Sequence, residues 1–167
     1  MNRLHGTLPA ATVGPVRRIL QSFFLLLFMT VPVMGQQVFY PDDPSALLGA
    51  GPAESIAAHG PPSSVSALRG SEPWQDDVVF SYNDGSRLHL FDNHLWQIVV
   101  SAGYQGSIMG VFIGDAPSKV ISLLGEPFLT NGSAMVWRLP WRGYPVMMRM
   151  IAKDSKVAEI AVFRADF

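Results

Sequence analysis

The chain has 167 residues, 49% of them hydrophobic and 15% charged, with no cysteine and a formal charge of −1. That length holds one ordinary domain or two very small ones and excludes a large multidomain enzyme. The missing cysteine excludes disulfides, zinc–thiolate sites, iron–sulfur clusters and thiol nucleophiles, and twelve basic against thirteen acidic residues leave no basic footprint for nucleic acid.

Arg17 and Arg18 stand before an almost wholly apolar run from Phe23 to Met34. At ~1.5 Å per residue the run reaches about 18 Å, short of the ~30 Å hydrocarbon core of a bilayer. The basic flank, the short run and the small residues near Val33-Met34-Gly35 predict a secretory signal peptide over residues 1–35. A helix buried in the folded domain is the alternative, opposed by Pro32 and by the abrupt change to Gln36-Gln37. Residues 36–167 keep nine basic and thirteen acidic residues, a net charge of −4, with no polybasic patch for anionic lipid. The expectation is an exported, periplasmic or secreted protein with no transmembrane span after cleavage and a linker over 36–46. Retention on an uncleaved anchor and peripheral membrane association stay open.

The next elements come twice. Leu47-Leu48-Gly49-Ala50-Gly51-Pro52 leads into a two-turn helix ended by Gly60 and followed by Pro62. Phe112-Ile113-Gly114-Asp115-Ala116-Pro117 leads into a second, ended by Gly125 and followed by Pro127. Pro at the first turn and Gly past the last are the expected helix punctuation. Asp115 is placed to accept from first-turn amides, and Val120, Ile121, Leu123 and Leu124 form one apolar stripe. His59, at the end of the first helix, is expected to be partly buried there.

Each helix is followed by alternating periodicity and then by a hairpin. Val79 to Tyr82 and Val136 to Leu139 read as strands. Arg87 to Phe91 turns through Asp92-Asn93-His94 into Leu95 to Val100, and Met148 to Lys153 turns through Asp154-Ser155-Lys156 into Val157 to Phe163. Three-residue turns place Leu88, Leu90, Trp96, Ile98 and Val100 inward with Met148, Met150, Ala152, Ala158, Ile160 and Val162. His89, Phe91, Gln97, Arg149, Ile151, Lys153 and Glu159 then face outward. The predicted fold is α+β: two tandem helix-plus-three-strand units, 47–104 and 105–167, with the helices on one face of antiparallel sheet. Pro61 to Asp77 is a long loop, and Pro140 to Tyr144 is an inserted one.

The segment Gly110 to Pro127, with Gly114-Asp115 before its helix and Leu124-Gly125-Glu126-Pro127 after it, resembles the SmpA/OmlA (BamE-type) envelope module. Two such units in tandem look like the β-lactamase-inhibitor-protein architecture. The resemblance implies a non-enzymatic envelope protein acting through protein contacts, either in outer-membrane assembly or as an inhibitor of a secreted enzyme. The chain lacks the lipoprotein cysteine of one branch and the disulfides of the other.

His89, Asp92 and His94 are the densest set of potential metal ligands, but two of them fall in a turn and a solvated turn is the simpler reading. No Gly-x-Ser-x-Gly elbow, phosphate loop or dinucleotide fingerprint occurs, and Asp42-Asp43 and Asp76-Asp77 read as solvated connectors, with calcium ligation as the alternative. Pro140-Trp141-Arg142-Gly143-Tyr144-Pro145 gathers three favoured interface residue types. The candidate partner-binding residues are therefore Trp141, Arg142 and Tyr144 on that loop, with His89, Phe91 and Arg149 on the outward sheet face. No catalytic residue, metal or cofactor is assigned. The expected function is binding or scaffolding of another envelope protein. The alternatives are a secreted enzyme inhibitor and a small metal-dependent hydrolase around His89 and His94.

Overall fold

The computed structural model describes residues 43–72 and 76–167; the expected signal peptide and most of the linker lie outside them. After a 3₁₀ turn at Pro44–Leu47, two eight-residue helices, α1 (Pro52–His59) and α2 (Pro117–Leu124), each precede a group of strands. Their limits follow the local chemistry. Each has proline in its first turn, and Gly60 (φ +86°) and Gly125 (φ +81°) end them in a conformation that side-chain-bearing residues resist. Asp115 does not cap α2. Its carboxylate accepts from Phe112 N at 2.9 Å and from Lys119 Nζ, closing the turn before the helix.

Strands β1 (Ser64–Leu68), β2 (Asp77–Ser81), β3 (Ser86–Phe91) and β4 (His94–Val100) follow α1, and a two-residue hairpin, β5 (Ser107–Ile108) and β6 (Val111–Phe112), precedes α2. Strands β7 (Leu129–Asn131), β8 (Ala134–Arg138), β9 (Val146–Lys153) and β10 (Lys156–Arg164) follow it. The large sheet runs β1-β2-β3-β4-β10-β9-β8-β7, antiparallel throughout. The α+β class holds, but the two tandem helix-plus-three-strand units expected from the sequence are corrected to one eight-stranded sheet. The long loop after α1 contains β1, a short strand after α2 is β7, and pairing of Val99 with Ala161 joins β4 to β10 without a break.

The hairpins are built differently from the expectation. Each turns through two residues, not three: Asp92 (φ 46°) and Asn93 (φ 60°), then Asp154 (φ 52°) and Ser155 (φ 57°), the positive-φ pair that matches strand twist. A two-residue turn alone would shift the alternation by one residue. A bulge restores it in each hairpin, at Trp96 and at Ala158, so that His89 meets Gln97 and Ile151 meets Glu159. The bulge changes which side chain enters the core. Leu95 and Val157 are buried where Trp96 and Ala158 were expected, and these two are only half-buried.

One face of the sheet carries the core: Phe80, Leu88, Leu90, Leu95, Ile98, Val100, Trp137, Met148, Met150, Val157, Ile160 and Val162, closed by Leu48 and by Val120 of α2. Leu88, Leu95, Met148 and Met150 are fully buried, each contributing about 1.5–3 kcal/mol of transfer free energy. Trp137 donates its indole N–H to the Gly125 carbonyl at 2.9 Å, tying β8 to the end of α2. Among the described residues no helix is long and apolar enough to cross a membrane.

Candidate functional site

Alternation along the strands sends a second set of side chains to the face opposite the core. Val79, Val99 and Ala161 lie there, buried yet outside the core cluster. Strand register arranges that face in rows. Ser81, Arg87, Val99, Ala161, Arg149 and Val136 form one row across β2, β3, β4, β10, β9 and β8; Val79, His89, Gln97, Phe163, Met147 and Arg138 form the next. The centre of the first row is small and closed, with Val99 at 2% and Ala161 at 0% exposure. Two arginines flank it.

Both arginines turn to one carboxylate. Arg87 Nη2 donates to Glu159 Oε2 at 3.0 Å, and Arg149 Nη2 lies 3.6 Å from Glu159 Oε1, an ion-pair distance too long for a hydrogen bond. The buried Nε–H groups of Arg87 and Arg149 have no hydrogen-bond partner among the described residues. The cluster therefore has more donors and more positive charge than it satisfies itself.

A second polar group borders it. Asp77 begins β2 almost fully buried, not in a solvated connector as expected, and accepts from the Trp96 indole N–H at 3.2 Å. The bulge that keeps Trp96 out of the core turns its indole to this contact. His89 sits 3.5 Å from Asp77 through Nδ1 and edge-on to Trp96, and neither ring nitrogen makes a well-formed hydrogen bond among the described residues. Burial lowers the His89 pKa below its ordinary value, outweighing the opposing pull of Asp77. The imidazole is thus held neutral near pH 7. His89 does lie on the outward face, but it is a buried neighbour of Asp77, not an open contact residue.

Phe91 and Trp96 meet Phe167 at the end of this face, with ring centroids 5.9 Å and 6.4 Å away. Arg164 stacks between Phe167 and Tyr144 at 4.5 Å and 4.1 Å, linking the face to the β8–β9 loop. In that loop the three candidate anchors separate. Arg142 donates to Asp43 at 2.8 Å and Ser45 at 3.2 Å, and Tyr144 donates to the Leu48 carbonyl at 2.6 Å. Both pin the loop to the segment before α1, and only Trp141, 68% exposed, is presented outward. Asp43, also expected in a solvated connector, caps the 3₁₀ turn by accepting from Ser45 N. Burial raises its pKa, but the hydrogen bonds from Ser45 and the Arg142 guanidinium outweigh that and hold it below the usual carboxylate range.

The residues considered for catalysis do not assemble one site. His94 Nδ1 bonds the Asp92 carbonyl at 2.7 Å in the exposed turn, whereas His89 faces Asp77. Among the described residues no group of three or more His, Asp or Glu side chains is arranged to hold a metal. His59 is exposed, not partly buried, and its Nε2 lies 3.3 Å from Ser86 Oγ beside an open cavity of about 440 Å³ lined by Pro61, Ser63, Tyr82, Asn83 and Asp84. Ser86 Oγ, itself buried, donates to Asp84 Oδ1 at 2.6 Å. Its proton is committed to the carboxylate, so the imidazole can only donate to it, the reverse of a general base on a nucleophilic serine.

Arg87, Glu159, Asp77 and Trp96 were not among the sequence candidates. Arg87 had a readable signal, since it stands five residues before its turn residue Asp92 as Arg149 stands five before Asp154. Asp77 had none: nothing in an Asp-Asp pair tells a solvated residue from the first of a strand.

No family model matches the chain, and no curated protein matches it. Solved structures do. One is an extracellular protein containing an SCP domain from Bacillus anthracis str. Ames, with a TM-score of 0.52 at 12% identity over 75% of this chain and 46% of that one. Another is a cysteine-rich secretory protein from Staphylococcus aureus subsp. aureus Mu50, with a TM-score of 0.52 at 9% identity over 74% of this chain and 47% of that one. The likeness is one of fold alone. This chain spans just under half the length of each. The resemblance to a tandem SmpA/OmlA (BamE-type) module and to the β-lactamase-inhibitor-protein architecture, with the outer-membrane assembly role it implied, is corrected accordingly, since the similar solved chains are an SCP-domain protein and a cysteine-rich secretory protein. The short Gly-Asp and Leu-Gly-x-Pro signature of α2 is helix punctuation, and unrelated chains share such punctuation because the backbone requires it.

Proposed function

We propose that this chain is an exported, non-catalytic binding protein whose sheet face opposite the core docks a partner protein. The observation that carries the reading is the row Arg87, Val99, Ala161 and Arg149, in which two incompletely satisfied arginines flank a closed floor of small residues. Arginine at the rim of an apolar strip is a common composition for a protein interface. Phe163, Met147 and Ile151 extend the strip, and the Phe91–Trp96–Phe167 cluster ends it with rigid aromatic area. Export is supported by the basic and apolar pattern of residues 1–35 and agrees with the extracellular and secretory descriptions of the two similar proteins.

Photo-crosslinking residues placed separately at Gln97, on the face, and at Ser118, on the exposed side of α2, test the reading in the organism that makes the protein. The expected result is an adduct from position 97 whose crosslinked segment is mapped by mass spectrometry and which Ala161→Arg removes while the circular dichroism stays unchanged. Adducts from position 118 alone would reject the face.

A further inference from the structure

Resting on that reading, we infer that the partner presents a carboxylate side chain to this face, seated between Arg87 and Arg149 on the side of Gln97. Charge pairing on this face is incomplete within a symmetric frame. The β4–β10 seam pairs Val99 with Ala161 and sets Arg87 and Arg149 one strand out on either side. Two residues from Ala161 on β10 stands Glu159; two residues from Val99 on β4, in the matching place across the seam, stands Gln97. One position carries the carboxylate that both arginines approach, and its counterpart is neutral.

Two guanidiniums thus share one carboxylate. Arg149 is held only at 3.6 Å, both Nε–H groups lack acceptors among the described residues, and both side chains stay about two-fifths exposed. His89, next to Gln97 in its row, is neutral and adds no charge to compete. Lys153 and Arg138 lie farther out on the same face, and Asp77 is turned to Trp96 and His89. An incoming carboxylate above Gln97 would meet the free Nη atoms of both arginines and the Gln97 amide. Fork-shaped guanidinium pairs of this kind favour carboxylate geometry, and a partly desolvated floor strengthens the attraction. The partner class is an acidic protein segment.

The test uses the full chain and a fluorescein-labelled hexaglutamate peptide, with hexaglutamine as the control, read by fluorescence anisotropy. The expected order has hexaglutamate bound about ten-fold or more tighter than hexaglutamine, the difference shrinking as salt rises. Gln97→Glu fills the vacant position from within and should cost about ten-fold in hexaglutamate affinity without lowering the melting temperature, whereas Glu159→Gln releases both arginines and should tighten binding. Equal binding of the two peptides, or hexaglutamate affinity unmoved by Gln97→Glu, overturns the inference. So does binding of phosphatidylglycerol vesicles with hexaglutamate ignored. If position 97 still yields a mapped protein adduct while hexaglutamate is ignored, only the carboxylate inference falls. If neither occurs, the docking face falls with it.

Discussion

Tyr144 and Trp141 stand three residues apart in one loop, and the structure gives them opposite roles. Tyr144→Phe removes a single oxygen and with it the 2.6 Å hydrogen bond to the Leu48 carbonyl. The ring stays in place against the core and against Arg164. A hydrogen bond of this kind contributes about 1 kcal/mol, which lowers the melting temperature of a domain this size by about 4 °C. Arg142→Ala removes the bonds to Asp43 and Ser45 and leaves a half-buried carboxylate with fewer donors; a bond to a charged group costs about 1.5–3 kcal/mol. Trp141→Ala deletes the largest side chain of the three, yet its 68% exposure predicts a change within about 0.5 kcal/mol. Urea denaturation of the four proteins, with matched m-values, measures all three differences. A Trp141→Ala cost as large as that of Arg142→Ala, or no cost for Tyr144→Phe, would refute these roles.

Other substitutions probe separate parts of the account. Met148→Ala, at a position with no exposure between β10 and β8, should cost about 2–5 kcal/mol in the same urea assay. Deleting Ala158 removes the bulge and leaves a regular two-residue hairpin in which Val157 still meets Ala152 and Glu159 still meets Ile151, so every later β10 side chain keeps its face; the expected readout is a retained cooperative unfolding transition. His89 has a folded pKa below its ordinary 6.5 because it is buried. As pH falls below 6.5 the unfolded chain takes up a proton that the folded chain refuses, so stability falls with pH until the folded pKa is reached. His89→Gln should flatten that slope without altering the fall at lower pH. That fall belongs to carboxylates such as Asp43 and Asp84, whose pKa values lie below 3.8, and whose stabilisation is lost as pH drops through them.

Much of the fold could be read where local chemistry is strong. Pro and Gly bracket both helices, and alternation assigned Leu88, Leu90, Ile98, Val100, Met148, Met150, Ile160 and Val162 to the core face, where they lie. The turns were read as three residues because the alternation demanded an odd count. The same count is met by two turn residues and one bulge, and the sequence pattern alone does not separate these solutions. That ambiguity misplaced Trp96, and with it the group that holds Asp77. Strands β1 and β7 escaped because they are edge strands whose side chains are all exposed, leaving no buried face to imprint a pattern. The join between β4 and β10 escaped for another reason: pairing of elements some sixty residues apart leaves no local trace. For the candidate site, Arg149, Phe91 and His89 were placed on the correct face from register. Their environments were not legible, since the burial of His89 and the sharing of Glu159 depend on side chains from several strands. Arg142 and Tyr144 match interface composition but are spent on holding their own loop, which composition cannot distinguish.

Hydroxyl-radical footprinting of the protein in the fraction where it is naturally found, compared with the purified chain, tests the docking face directly. Oxidation of Met147 and Phe163, both on the face opposite the core, should slow when the partner is present, while Phe112, beside α2, reacts at the same rate in both samples. Protection of Phe112 with Met147 and Phe163 unchanged would contradict the account.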